Sequence, residues 1–174
     1  MTAMASSLPC WTSLALMVLL SACQRTPDQE IIRGTRVLNG SHGLELELTQ
    51  HLELSPAMRD ALDHGIALRL VYDITACGKS RTRALWLRQA ALKRRYELQI
   101  EGGTEVRDFV RVSALEAALD RIRLPLDLPS DAQCAGEVQM NLDLAALPTP
   151  LRFPAFFEPQ QWVLRSVRVP WEGR

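Results

Sequence analysis

Charge is missing from the start of this chain: no Asp or Glu precedes Asp28, and the first Lys or Arg is Arg25. Over the whole sequence an excess of either sign is missing too, with 20 Lys and Arg against 20 Asp and Glu. A neutral total gives no footing for nucleic acid, whose binding rests largely on neutralising phosphates. No apolar run reaches the ~20 residues needed to cross a hydrocarbon core. The chain has no phosphate-loop or dinucleotide glycine motif, no nucleophile elbow and no Cys-x-x-Cys pair. Histidine is scarce, and its three copies, His42, His51 and His64, stand near expected turns or helix ends. Two cysteines without suitably spaced histidines do not compose a zinc site. These gaps leave no catalytic, cofactor-binding or metal-binding residue to assign. What is present is a hydrophobic fraction of 47%, enough for one folded domain to bury a core.

The uncharged start ends in an apolar segment, Leu14 to Leu20, of the length of a signal-peptide hydrophobic region. Directly after it stands Leu20-Ser21-Ala22-Cys23, which resembles the bacterial lipobox. Residues 1–22 therefore read as a lipoprotein signal peptide, although the usual basic n-region is lacking. Cys23 reads as the lipid-attachment residue, because its thiol can carry a diacylglycerol. Two or three acyl chains anchor stably, each buried methylene contributing ~0.8 kcal/mol. The expected location is the periplasmic side of the cell envelope. Gln24 follows Cys23, where inner-membrane retention would favour Asp, so the outer membrane is preferred. Cys77 and Cys134 remain, an even pair in an oxidising compartment, which makes a disulfide the natural expectation.

Residues 23–30 read as a lipid-anchored tether, 31–171 as a single envelope domain and 172–174 as a tail. Ile31 to Leu38 is a candidate strand, followed by an Asn39-Gly40 turn signal. Leu44, Leu46 and Leu48 alternate with Glu45 and Glu47, as in a strand with one face in the core. Ser55-Pro56 opens a helix over Ala57–His64, the serine capping and the proline taking the first helical position. Met58, Ala61 and Leu62 form its apolar stripe, and Gly65 ends it. Ile66, Leu68, Leu70 and Tyr72 predict another strand, and Gly78 to Thr82 a polar loop. Arg83 to Ile100 fits one long bent strand or two in succession better than a helix. Gly102-Gly103 then turns the chain, and Val106–Val112 returns. Ser113-Ala114-Leu115-Glu116 matches a capping box, with Leu115, Ala118, Leu119 and Ile122 on one helical face. Pro125 and Pro129 punctuate the chain after this helix. Val138, Met140, Leu142 and Leu144 predict a strand, and Trp162, Leu164, Ser166 and Arg168 the last. Between these two, prolines in Leu147-Pro148-Thr149-Pro150-Leu151 forbid an interior strand. The expected fold is mainly β or α+β: an antiparallel β-sandwich-like domain with two short helices.

Several of these segments together resemble a known family. They are Ser55-Pro56 through Ala61-Leu62 and Gly65, Arg95-Tyr96, Phe109, Ala117-Ala118-Leu119, Leu147-Pro148-Thr149-Pro150-Leu151-Arg152, and Trp162, Ser166 and Trp171. The chain is similar over residues 31–171 to the proteobacterial domain of unknown function 4390 (DUF4390). The resemblance implies a small exported protein and carries no activity, cofactor or site residue with it. A shorter Leu92–Val110 stretch and the Cys77/Cys134 pair depart from the family's usual pattern.

Two features point toward partners. Lys79, Arg81, Arg83, Arg88, Lys93, Arg94 and Arg95 occur with no acidic residue between Asp73 and Glu97. Arg88, Lys93, Arg94 and Arg95 are the candidate surface for an anionic lipid or an acidic envelope protein. The competing reading is a solvated face balanced by nearby acids. In one continuous strand Arg88 and Arg94 would point one way, Lys93 and Arg95 the other. Phe153, Phe156, Phe157, Trp162 and Trp171 form an aromatic tail that either recognises a partner or packs to close the domain. The expected function is a non-enzymatic, lipid-anchored envelope module that binds or scaffolds another envelope component. The alternatives are a small-ligand or lipid-binding domain, which requires an apolar cavity between layers, and an enzyme of unrecognised class.

Overall fold

The computed structural model describes residues 28–41 and 43–173, without the side chains of Phe153, Pro154 and Phe156. The segment expected to be a signal peptide, the expected lipid-attachment residue Cys23, most of the expected tether and His42 lie outside the described residues. Among the described residues, nine strands and four helices succeed one another in chain order: β1 (Ile32–Gly40), β2 (Gly43–Gln50), α1 (Pro56–Asp63), β3 (Leu68–Ala76), β4 (Lys79–Ala90), β5 (Arg95–Ile100), β6 (Val106–Phe109), α2 (Val112–Leu119), β7 (Arg121–Pro125), β8 (Ala135–Leu142), α3 (Thr149–Phe157), α4 (Pro159–Trp162) and β9 (Val169–Glu172). A 3-10 turn, Leu144–Ala146, precedes α3. The domain is thus rich in antiparallel sheet, with more helix than the two short helices expected.

The strands form two sheets, one ordered β1-β2-β7 and the other β6-β5-β4-β3-β8-β9. Their named pairings are all antiparallel. The alternation in β2 behaves as its pattern requires: Leu44, Leu46 and Leu48 are buried, while Glu45 and Glu47 are only partly covered. They share one core with Leu68, Leu70 and Tyr72 of β3, Leu85 and Leu87 of β4, and Val138 and Met140 of β8. One polar contact links the two sheets inside that core. Gln50 Nε2 donates to the Tyr72 hydroxyl at 3.0 Å, and burial pushes the Tyr72 phenol well above its ordinary pKa. On one side the sheets meet where the Thr35 hydroxyl of β1 donates to the Pro170 carbonyl of β9 at 3.2 Å.

Helix α1 begins and ends for the reasons read in its sequence. The Ser55 hydroxyl accepts from Met58 N at 3.2 Å, and Met58, Ala61 and Leu62 face inward. Gly65 takes φ 77°, which lets its N–H reach Leu62 O and that of Ile66 reach Ala61 O.

Elsewhere the expectations need correction. The stretch Gly78 to Thr82 is not a loop. Cys77 and Gly78, both at positive φ, make a two-residue hairpin turn, and Lys79 already opposes Ala76 at the start of β4. Of the two forms expected for Arg83 to Ile100, the structure has two strands in succession, and the turn over residues 91–94 between them removes the parity that one continuous strand would have given Arg88 and Arg94. Ser113 caps nothing as an N-cap: α2 starts at Val112, and Glu116 instead accepts from Leu54 N at 3.0 Å. Ile122 belongs to β7 rather than to α2, buried opposite Leu48. Residues 162–168 do not form a regular last strand. Trp162 ends α4, the chain then follows β8 through isolated contacts such as Ser166 N to Met140 O at 2.8 Å, and β9 starts only at Val169. Trp162 and Trp171 are buried in the core, so the two tryptophans of the aromatic tail close the domain. Phe157 is exposed, and the side chains of Phe153 and Phe156 lie outside the described ones.

Candidate functional site

Opposite the contact between β1 and β9, the sheets come apart. There β7 is the edge of the three-stranded sheet and β6 the edge of the six-stranded one. An open cleft of about 920 Å³ lies in this seam, within the size range of small-ligand sites. Its apolar lining comes from both sheets: Leu85 of β4, Leu98 and Ile100 of β5, and Ile122 and Pro125 of β7. Leu85, Leu98 and Ile122 are core residues, so the cleft reaches the edge of the hydrophobic interior. Arg83, Arg107, Arg121 and Arg123 surround it together with Glu101, Glu105 and Asp127.

Strand alternation explains this mixed lining. In β7, Ile122 and Leu124 turn inward, which sends Arg121 and Arg123 outward to the rim. The backbone alternates as well. Gln50 N bonds Asp120 O and Leu126 N bonds Leu44 O, so the even-numbered residues of β7 bond β2. The N–H and C=O groups of Arg121 and Arg123 consequently point to the open edge. Pro125, of the same parity, has its carbonyl taken by Arg83 Nε at 3.0 Å.

The rim cations are not equivalent. Arg83 is tied to Asp127 and Pro125, and Arg123 Nε donates to Glu47 Oε2 at 3.0 Å. Arg107 lies over the Phe109 ring, 5.5 Å from its centroid. Arg121 is exposed and has no ion-pair partner among the described residues. Glu101 is engaged from the outer face: Arg69 Nη2 donates to it at 2.7 Å and holds its carboxyl below the usual carboxylate range, against the opposing effect of burial. Arg107 and Arg121 are therefore the cations most open to an anion in the cleft.

The basic run singled out in the sequence divides into three parts. Arg81 and Arg83 share the inward parity of Leu85 and tie β4 to the end of β7 and the residues just after it, Arg81 Nη1 donating to Leu126 O at 2.6 Å. These two are seam fastenings and not a partner surface. Arg88 sits on the outer face with its guanidinium 5.3 Å from the Trp86 ring centroid, opposite Glu97 of β5. Lys93, Arg94 and Arg95 stand at the β4–β5 turn, where Lys93 Nζ pairs with Glu97 at 3.0 Å. The Glu97 carboxylate raises the Lys93 ammonium above its ordinary pKa.

The remaining chemistry-bearing residues stay apart. His51 contacts Glu53, and His64, at the end of α1, contacts the Asp60 carbonyl. Asp63 accepts a hydrogen bond from the Tyr96 hydroxyl. Among the described residues no group of three or more His, Cys, Asp or Glu is arranged to hold a metal ion. No described helix is long and apolar enough to cross a membrane. Cys77 and Cys134 are joined in a disulfide, with Cα atoms 5.2 Å apart. Sequence reasoning found the disulfide, placed the basic residues along a strand rather than at a hairpin apex, and missed the cleft. Its signal was the short alternation Arg121-Ile122-Arg123-Leu124, which a helix-face reading of Ile122 obscured.

A family model described as "Domain of unknown function (DUF4390)" matches residues 78–172. No curated protein and no solved structure matches the chain. The matched span runs from the β3–β4 turn to the last residue of β9, so it holds the disulfide-bearing Cys134, both walls of the cleft and the basic apex. It leaves out β1 to β3 and α1, including the Ser55-Pro56 and Gly65 signals, and so begins later than the 31–171 of the sequence resemblance. The match covers more than half of the chain, which belongs to the DUF4390 family.

Proposed function

We propose that this domain is a non-enzymatic binding module of the cell envelope that takes an anionic amphiphile into the seam of a sandwich-like fold. The observation that carries this reading is the open cleft, apolar where it meets the core and rimmed by arginines. An acyl chain would lie against Leu85, Leu98, Ile100 and Ile122. Its acidic group would pair with Arg121 and Arg107, the two rim cations not already tied to a carboxylate. This reading favours ligand binding over a purely scaffolding role, because the opening between the sheets is apolar within and charged at its rim.

The test is titration with a dansyl-labelled long-chain fatty acid, followed by its fluorescence. Saturable binding is expected, and Arg107→Glu with Arg121→Glu should weaken it at least roughly tenfold. A charge-assisted hydrogen bond contributes about 1.5–3 kcal/mol, and about 1.4 kcal/mol is tenfold in affinity. Absence of saturable binding, or equal affinity in the folded double variant, would refute the assignment of ligand to cleft.

In the same proposal, residues 1–22 are removed and Cys23 carries the lipid that holds the domain on the periplasmic side, preferably of the outer membrane. Support comes from the lipobox-like Leu20-Ser21-Ala22-Cys23 placed directly after an apolar run. Cys23→Ser should abolish incorporation of radiolabelled lipid and leave an unprocessed or misprocessed precursor. A wild-type chain that takes up no label, and is processed as its variant is, would exclude the anchor.

A further inference from the structure

We propose that the β4–β5 hairpin apex is a membrane-inserting finger, with Leu92 entering the acyl boundary of an anionic bilayer while Arg94 and Arg95 pair with its headgroups. The turn over residues 91–94 joins Ala90 to Arg95 at the end of a paired hairpin, and residues 91–95 are all exposed. Leu92 is fully exposed at that apex, where the chain gains nothing in the folded domain from an apolar side chain. Arg94 occupies φ 50°, a left-handed position that favours glycine or asparagine. The apex therefore holds an apolar residue and a strained cation where a turn alone would call for neither.

Charge favours an anionic surface. Lys93 is answered by Glu97, and Asp108, opposite Glu97 across β5 and β6, leaves one negative charge over among these three, fewer than the cations beside them. Arg94 and Arg95 have no ion-pair partner among the described residues, and Arg88 adds a third cation from the outer face, stacked on Trp86. Val110, also exposed, follows the Phe109–Tyr96 pair and extends the apolar contact beside the apex. Shape favours a bilayer over a folded partner. A stable protein interface buries about 800 Å² on each side, which a convex four-residue turn cannot supply. A bilayer needs no complementary pocket: one side chain enters and the flanking guanidinium groups stay at the headgroup level. The contact is independent of the cleft and of the lipid on Cys23.

The experiment uses the full chain with vesicles and reads the apex itself, so no other hold on the membrane enters the result. In Leu92→Trp, the fluorescence added over that of the wild type should shift to the blue on vesicles containing phosphatidylglycerol. Lipid brominated near the headgroup end of its acyl chains should quench it. Phosphatidylcholine vesicles should produce neither change. Adding Arg94→Glu and Arg95→Glu should raise the anionic-lipid concentration that gives half the blue shift by roughly thirtyfold or more at low salt, each basic residue near the surface contributing ~1 kcal/mol. These substitutions lie on exposed turn positions, and unchanged far-ultraviolet circular dichroism checks that the fold is kept. No shift on anionic vesicles overturns the proposal, as does an equal shift on phosphatidylcholine. Photocrosslinking from position 92 in intact envelopes that reaches a protein instead of lipid also overturns it.

Discussion

Replacing Cys77 and Cys134 with alanine should lower the free energy of unfolding by about 4 kcal/mol. The bond closes a separation of 57 residues, and a cross-link of that span removes much of the freedom of the unfolded chain. It joins the β3–β4 turn to the residue before β8, so three adjacent strands of the large sheet converge on it. Backbone bonds flank it on both sides, from Cys77 N to Ala135 O at 3.3 Å and from Gly173 N to Cys134 O at 2.7 Å. These bonds survive the substitution, so the reduced domain should keep its topology and lose stability chiefly through its unfolded state. Urea denaturation of the oxidised protein and the double variant measures the difference. A midpoint unchanged by the substitution would show that the bridge adds nothing to the fold.

Leu124→Ala should cost about 3 kcal/mol, within the usual range for emptying a fully buried leucine site. Leu124 has no exposed surface and opposes Leu46, itself fully buried, in the β2–β7 register. The neighbouring Arg123 points outward to Glu47, and its side chain is 61% exposed. Arg123→Ala should cost less, about 1–2 kcal/mol, because Arg123 itself leaves no cavity although the Glu47 carboxylate, with 12% of its side chain exposed, loses its partner. Denaturation midpoints of the two variants test whether β7 is a strand in this register. Similar losses at positions 123 and 124 would contradict the alternation and, with it, the arginine rim of the cleft.

Those two substitutions also mark where sequence reading succeeds and fails. Leu44, Leu46 and Leu48 announce their strand because three alternations in a row leave one face apolar, whatever lies opposite. β7 offers only Ile122 and Leu124 between arginines, and the end of α2 brings Leu115 and Leu119 to helical spacing just before it. So short a strand is fixed by its partner: Leu48 and Leu46 of β2 select Ile122 and Leu124 for the core. Ser113 and Glu116 show the same competition. Their spacing permits a capping box, but Glu116 lies within reach of the Leu54 amide and of Arg59, whose Nη2 is 2.9 Å away, and it bonds these instead. A charged acceptor meeting both a guanidinium and a free amide outweighs a local serine cap.

By itself, the sequence determined those elements whose cause is local: the helix opened by Ser55-Pro56 and ended by Gly65, the alternating strands around Leu46, Leu70 and Met140, and the turn at Gly102-Gly103. Caps, left-handed glycines and period-two burial act over a few residues, so their outcome is written within a few residues. Only the tertiary structure decided that Arg81 and Arg83 fasten a seam while Arg94 and Arg95 remain at an apex, although all four belong to one basic run. Only it brought Leu85 and Ile122 to the two walls of one cleft. The reason is that a strand's free edge, a cation's partner and the space between sheets depend on which distant segment arrives, and that is settled by packing the whole core at once.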